Sequence, residues 1–169
     1  VSGIPATAIT YLDGDATHPH GNGPKLIAHV CNDRGGWGAG FVLAVSRRWP
    51  YPEREYRAWA ASGADDFALG NVRYTPIWHE QIIVANMIAQ HGFGDGGPPI
   101  RYDALGDCLH KVGQYCLTRD TDVPWASVHM PRIGCGLAGG RWEDVEPVID
   151  RELCQRGIAV TVYDYQPPR

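Results

Sequence analysis

An apolar run, KLIAHVC (25–31), passes directly into NDRGGWGAGF (32–41), with glycines at 35, 36, 38 and 40. Val42, Val45 and Trp49 then recur at helical spacing until Pro50 and Pro52 break the pattern. A nearly continuous apolar run reads as a strand covered on both faces. Strand, bare loop and helix in that order are one unit of an α/β layered fold. The order recurs: WASVHMPRIG (125–134) reads as a strand and GCGLAGG (134–140) as a second bare loop. Trp142, Val145, Ile149 and Leu153 form the helical stripe that follows. Glycine ahead of a helix costs roughly 0.5–1 kcal/mol against alanine. Two explanations stand open: turns that need positive φ, or a ligand that must lie against the backbone.

The remaining segments fit the same architecture. ATAITYLDGD (6–15) is β-branched and aromatic and stops at Asp-Gly, a strand feeding a turn. HPHGNGP (18–24) is a loop, and EREYRAWAA (53–61) a short helix. GNVRYTPIW (70–78) and QIIVANMIA (81–89) read as two strands joined by a tight turn at His79–Glu80. HGFGDGGPP (91–99) is a loop; Leu105, Cys108, Leu109, Val112 and Cys116 line one helical face; IAVTVYDY (158–165) is the last strand. Alternating strands and helices predict an α/β fold, a layered sandwich on a mixed central sheet. With no repeat, linker or low-complexity segment, residues 1–169 are expected to form one domain.

Composition narrows the function. A hydrophobic content of 44 % and a charged content of 20 % are those of an ordinary globular protein. A formal charge of −4 argues against nonspecific nucleic-acid binding, which needs a basic stripe to release counterions, but not against a modified nucleic acid recognised through its modification. No apolar run approaches the ~18 residues of a membrane span, and no segment has the layout of a signal peptide. The first residue is Val, so residues are expected to precede it. Five cysteines with no Cys-x-x-Cys pair suit buried, reduced thiols and a cytoplasmic location. The seven histidines fall at no ligand spacing with them, so no metal is expected; His18-x-His20 is the nearest arrangement. No cofactor and a monomeric state complete the expectation.

In α/β sheets, ligands bind at the carboxyl ends of the strands, where both glycine loops fall. Helix N-termini there present unpaired N–H groups and a positive dipole end to an anion. Two such loops can hold a diphosphate from opposite sides without a lysine. The chain has no Gly-x-x-x-x-Gly-Lys, which excludes a P-loop, and GGWGAGF lacks the third glycine of the dinucleotide fingerprint.

ITYLDGD, HVCNDRGGWGAGF, NMIAQHG, SVHMPRIGCGLAGGRW and VTVYDY resemble a macrodomain, and the resemblance runs over nearly the whole chain. It is strongest to the branch holding terminal ADP-ribose protein glycohydrolase, the DNA-thymidine ADP-ribosyl glycohydrolase antitoxin and yeast ADP-ribose-1″-phosphatase. MPRIGCGL carries that branch, and GGWGAGF with RRWP is similar to the phosphatase. The resemblance implies a three-layer α/β/α macrodomain sandwich that binds ADP-ribose. Asp15, with Ala16, would receive the adenine amino group. Asn32 would lie near the distal ribose. Gly38, Ala39 and Gly40 would line one side of the diphosphate, and Ile133, Gly134, Cys135, Gly136 and Leu137 the other. Cys135 is then a small loop residue and not a nucleophile. Tyr163 or Tyr165, at the end of the last strand, would flank the adenine or sit in the core; Trp37 would cover the ligand or pack beneath it.

The family's catalytic lysine falls on Gln90 and its assisting aspartate on Ala138. Glutamine forms no Schiff base, so the covalent lysyl route is closed. Three activities remain open. In the first, water hydrolyses the C1″ bond of mono-ADP-ribosylated protein (acidic-residue esters) or DNA (thymidine). Gln90 and Asn32 would position the reactants, and the base would be Asp33, His91 or a ligand phosphate oxygen. The second is a non-catalytic ADP-ribose reader, and the third an ADP-ribose-1″-phosphate phosphatase.

Overall fold

The computed structural model describes residues 4–94 and 96–167. In chain order the strands are β1 (Thr10–Asp13), β2 (Lys25–Asn32), β3 (Val72–Ile77), β4 (Ile82–Gln90), β5 (Ser127–Met130) and β6 (Val160–Asp164). The helices are α1 (Phe41–Arg48), α2 (Tyr51–Ala61), α3 (Tyr102–Leu117) and α4 (Trp142–Glu152). The sheet order is β1-β6-β5-β2-β4-β3. β3 runs antiparallel to β4, and the other pairings are parallel, so the sheet is mixed.

The period of two along the central strands explains the layers. Leu26 and Ala28 of β2, with Ile83, Ala85 and Met87 of β4, pack with Leu105, Leu109 and Val112 of α3 and Val145 and Ile149 of α4. Their alternates, Ile27, Cys31, Ile82 and Val84, pack with Val42 and Val45 of α1 and Tyr56 of α2. Successive side chains point to opposite faces, so strands apolar at nearly every position carry a helical layer on each side. The result is the expected three-layer α/β/α sandwich.

The boundaries moved in ways local chemistry explains. Pro52 sits in the first turn of α2, where an N–H has no helical partner to lose; the helix therefore starts before residue 53. The β3–β4 turn is a 3-10 turn at Trp78–Glu80, closed by Gln81 at φ 52. The first strand is confined to Thr10–Asp13 and the fifth to Ser127–Met130, each shorter than the apolar stretch around it. Cys31, Cys108, Cys116 and Cys154 are buried free thiols, and Cys135 is half-buried.

Two buried histidines make the fold acid-sensitive. His29 meets the Asn86 side-chain oxygen at 2.5 Å, and His129 lies between Ser127 Oγ and Tyr163 OH at 2.7 and 2.8 Å. Burial pushes both down from 6.5 to about 4; the Asn86 bond opposes this at His29, and Lys25 and His20 add to it at His129. Above pH 6.5 neither state binds these protons. Between 6.5 and about 4 the unfolded chain takes up protons that the folded chain refuses, so stability falls as pH falls. Denaturant midpoints are expected to drop steadily from pH 7 to pH 4.5. A flat profile over that interval would mean that both rings are protonated in the fold.

Candidate functional site

A cleft of about 710 Å³ opens at the carboxyl ends of β2, β4 and β5, reached by Asn32, Gln90 and Pro131. Its walls are the two glycine loops: Gly36, Gly38, Ala39 and Gly40 on one side, Ile133, Gly134, Gly136 and Leu137 on the other. Among the described residues that line it, Arg132 is the one permanently charged side chain and none is a carboxylate. Among the described residues, the backbone N–H groups of Gly38, Ala39, Gly136 and Leu137 have no hydrogen-bond partner. α1 starts beside them with no side-chain cap and no acid in its first turn, so its positive dipole end meets the cleft uncompensated.

The glycines divide into two kinds. Gly40 adopts φ 85, a left-handed conformation that disfavours any side chain. A Cβ on Gly36 would come within 2.6 Å of the Phe93 ring, and one on Gly140 within 2.5 Å of the Gly134 carbonyl oxygen. Gly40 and Gly140 are required by the backbone itself, whereas at Gly36 the neighbour is the tip of an exposed Phe93 ring that can turn aside. Gly38 and Gly136 are not required: a Cβ there meets nothing within 4 Å, and neither has a left-handed φ. Both face the cleft. Bare backbone that the fold does not need, flanking unpaired N–H groups, is what a bound anion requires.

Asn32 lines the cleft but is largely occupied. Its Oδ1 accepts from Arg34 N at 2.9 Å, Gly36 N at 3.0 Å and Tyr56 OH at 3.0 Å, and its Nδ2 donates to Gly36 O at 2.8 Å. Its carboxamide therefore shapes the first loop, leaving one N–H for any ribose hydroxyl. Gln90 Nε2 donates to Gly92 O at 3.0 Å, which leaves Oε1 as its uncommitted acceptor. Asp33 and His91 do not line the cleft. They pair with each other, His91 Nδ1 at 2.7 Å from Asp33 Oδ2, while Asp33 Oδ1 accepts from Gly92 N at 2.9 Å. Burial pushes the Asp33 carboxyl up, but the Gly92 and His91 hydrogen bonds outweigh that and hold it low. This pair clamps the turn after β4.

Other expected residues are placed differently. Trp37 is 3 % exposed; its Nε1 donates to Ser46 Oγ at 2.7 Å, and its ring packs near His29 and Tyr56. It supports the loop from beneath and offers no face to a ligand. Tyr163 is 2 % exposed, with its hydroxyl accepting from His20 N and facing His129; it is a core tyrosine. Ala16 is buried and Asp15 half-buried; neither lines the cleft, nor does Cys135. Asp15 Oδ1 accepts from the amide and hydroxyl of Thr17, a turn-closing arrangement, and its Oδ2 remains 3.5 Å from His18. Burial pushes the Cys135 thiol up against the pull of Arg132, which keeps it protonated.

Two lining residues carry no sequence signal. Phe93 is 56 % exposed and caps the β4 end of the cleft. Arg132 is held at the opposite rim by Asp164 at 2.6 and 3.0 Å, with Tyr11 and Trp142 at 5.2 and 5.0 Å from its guanidinium carbon. These partners come from both ends of the chain and from α4, so sequence spacing could not have joined them. Among the described residues there is no cluster able to hold a metal, and no helix is long and apolar enough to cross a membrane.

A three-layer sandwich with a cleft walled by two bare loops at the strand ends defines an α/β domain with unpaired main-chain N–H groups exposed at its cleft. The chain belongs to the macrodomain family. A macrodomain protein from Streptomyces coelicolor is 52 % identical, with 94 % of this chain and 100 % of that one covered and a TM-score of 0.81. A chromodomain-helicase-DNA-binding protein 1-like from Danio rerio is 33 % identical over 95 % of this chain, which spans 16 % of that protein's length. An ADP-ribose 1″-phosphate phosphatase from Candida albicans is 28 % identical, with 83 % of this chain and 91 % of that one covered. No family model matches.

Proposed function

We propose that this macrodomain, acting as one unit over residues 1–169, binds ADP-ribose and hydrolyses it from mono-ADP-ribosylated targets. The supporting observation is the bare, N–H-bearing backbone at Gly38 and Gly136, which the fold does not itself require. A diphosphate lying between the loops would use those N–H groups and the α1 dipole. The adenosine end would then run toward Arg132 and the β1–β6 side. The distal ribose would reach Asn32, Gln90 and Phe93.

Gln90 stands where a Schiff-base lysine would be needed, so the chemistry runs through water. The C1″ bond to the leaving group breaks as the water oxygen bonds to C1″. The leaving electron pair stays on the acyl oxygen of an acidic-residue ester, or on a thymidine base that takes up a proton. Gln90 Oε1, uncommitted within the protein, would accept a hydrogen bond from that water. With Asp33 and His91 committed to each other, a ligand phosphate oxygen is the group left to receive the water's proton. Positioning and preorganised N–H donors supply the rate enhancement. Ester and thymidine leaving groups suit such a site; a serine alkoxide does not.

Purified protein is expected to release ADP-ribose from glutamate-linked and thymidine-linked substrates and not from serine-linked ones. Tight binding without turnover of any of them would make it a reader. Phosphate release from ADP-ribose-1″-phosphate, the substrate in the Candida albicans relative's name, would make it a phosphatase. Gln90→Ala is expected to slow release at least tenfold while ADP-ribose affinity stays within about threefold. Unchanged turnover in that variant removes Gln90 from the mechanism.

A further inference from the structure

β3 ends the sheet, and its outer edge has no strand beside it among the described residues. Which of its groups face outward follows from its pairing. Ile88 N donates to Asn71 O just ahead of β3, and the antiparallel register runs on from there to Ile77↔Ile82. Arg73, Thr75 and Ile77 therefore direct their N–H and C=O groups at β4, while Val72, Tyr74 and Pro76 direct theirs away from it. Pro76 has no N–H for a ladder and falls in the outward set, where proline is tolerated. The side chains alternate as well. Tyr74 stacks on Tyr115 of α3 at 3.9 Å, while Ile77 belongs to the α1–α2 side. Thr75 shares that second side and lines a hollow of about 430 Å³ with Tyr51, Glu55 and Trp78. Thr75 is 3 % exposed, and its Oγ1 has no hydrogen-bond partner among the described residues. The Glu55 carboxylate and the Arg73 guanidinium likewise make no ion pair or hydrogen bond among them. Arg73 rests on the Trp59 ring, 4.9 Å from its centre.

We infer that this edge pairs antiparallel with the same edge of a second copy of the chain, on a two-fold axis through Tyr74. An isologous contact of this kind must be complementary to itself, and the edge allows few registers. An axis at Arg73 sets two guanidinium groups directly opposite each other, which is destabilising. An axis at Thr75 carries Val72 past the end of the partner's strand. With the axis at Tyr74, each Tyr74 N–H donates to the partner's Tyr74 carbonyl and each Val72 N–H to the partner's Pro76 carbonyl, so no outward donor is left over. Arg73 then stands opposite the partner's Thr75, in the kind of pair where side chains approach most closely. There its guanidinium reaches the orphaned hydroxyl oxygen and the Glu55 carboxylate beside it. On the other face, two Tyr74–Tyr115 stacks meet at the axis, an aromatic cross-strand pair. Charged residues and proline usually keep a sheet edge single; here Arg73 and Pro76 select one register instead. An unrelated extended peptide would satisfy the backbone but brings no guanidinium to the position facing Thr75 and Glu55, so a second copy fits better. The monomer expected from the sequence gives way to a two-fold pair. None of these residues lines the cleft, so the pairing stands apart from the reading of that site.

Sedimentation equilibrium over a concentration series is expected to show a reversible shift from the 18.6 kDa chain to twice that mass. The expected dissociation constant is about 10 μM, the weak end for a small interface. Arg73→Glu and Glu55→Arg each set like charges against each other across the axis and should weaken association at least about tenfold. The double variant restores opposite charges and should recover the parent's constant within about threefold. All three variants are expected to keep the parent's circular dichroism and thermal midpoint at dilutions where the parent is single, which shows them folded. A parent that stays single at every concentration, whether or not it takes an extended peptide on β3, overturns the inference. So does an Arg73→Glu variant that associates as the parent does, or a double variant no tighter than the single ones.

Discussion

Gly136→Glu is expected to fold as the parent does and to give no heat on titration with ADP-ribose. The two halves of that result have separate causes. Position 136 has open space around a built Cβ and no left-handed φ, so a longer side chain costs the fold little. It also lines the cleft beside N–H groups that have no other partner. A glutamate there places a carboxylate in the space proposed for the diphosphate, where it competes for the same N–H donors and repels the ligand. At an effective dielectric constant near 20, two unit charges about 4 Å apart repel by ~4 kcal/mol, which corresponds to a loss of close to a thousandfold. A thermal midpoint within a few degrees of the parent, together with absent binding, is the expected pair. Retained affinity would mean that the diphosphate does not pass the second loop.

Asn32→Ala is expected to weaken both the fold and the ligand site. Oδ1 of Asn32 accepts from two backbone N–H groups and a tyrosine hydroxyl, all in or under the first loop. Tyr56 OH has a second acceptor in Asn32 O at 2.6 Å and survives the change. The Arg34 and Gly36 amides lose theirs, and the Gly36 carbonyl loses its donor. Uncompensated groups of this sort cost about 1–3 kcal/mol each where water is excluded. The loop is only half-buried, so a total near 2 kcal/mol is expected in denaturant unfolding. The larger effect falls on ADP-ribose affinity, expected to drop at least tenfold because the wall bearing Gly38 and Ala39 is no longer held in register. Asn32→Asp separates shape from contact. It keeps the acceptor for the two amides but sets a carboxylate oxygen against Gly36 O, so it should retain more stability than the alanine variant. Full affinity in Asn32→Ala would show that the loop holds its form without this side chain.

Much of the architecture was legible because it is written in local patterns. The nearly continuous apolar runs at 25–31 and 82–89 require cover on two faces, and the helical stripes at 105–116 and 142–153 supply it on one of them. Trp37 shows where that legibility stops. An indole inside a glycine loop reads equally as lid or buttress; only the α1 hydroxyl of Ser46, nine residues on, and Tyr56 from α2 decide that it points inward. The same holds for Tyr163, whose hydroxyl is drawn into the core by His20 and His129.

The sequence by itself determined the layer order and the position of both glycine loops at strand ends. Both follow from residue type and spacing along the chain, which folding cannot alter; that Gln90 stands where the family has a lysine is what the macrodomain resemblance implies. The tertiary structure decided which glycines the fold needs and which it leaves bare. It also decided that Asn32 spends its amide on the loop, that Asp33 and His91 clamp each other, and that Arg132 and Phe93 stand at opposite ends of one cleft. These depend on distances between segments far apart in the chain, and a side chain's hydrogen-bonding capacity is assigned only when its neighbours in space are known.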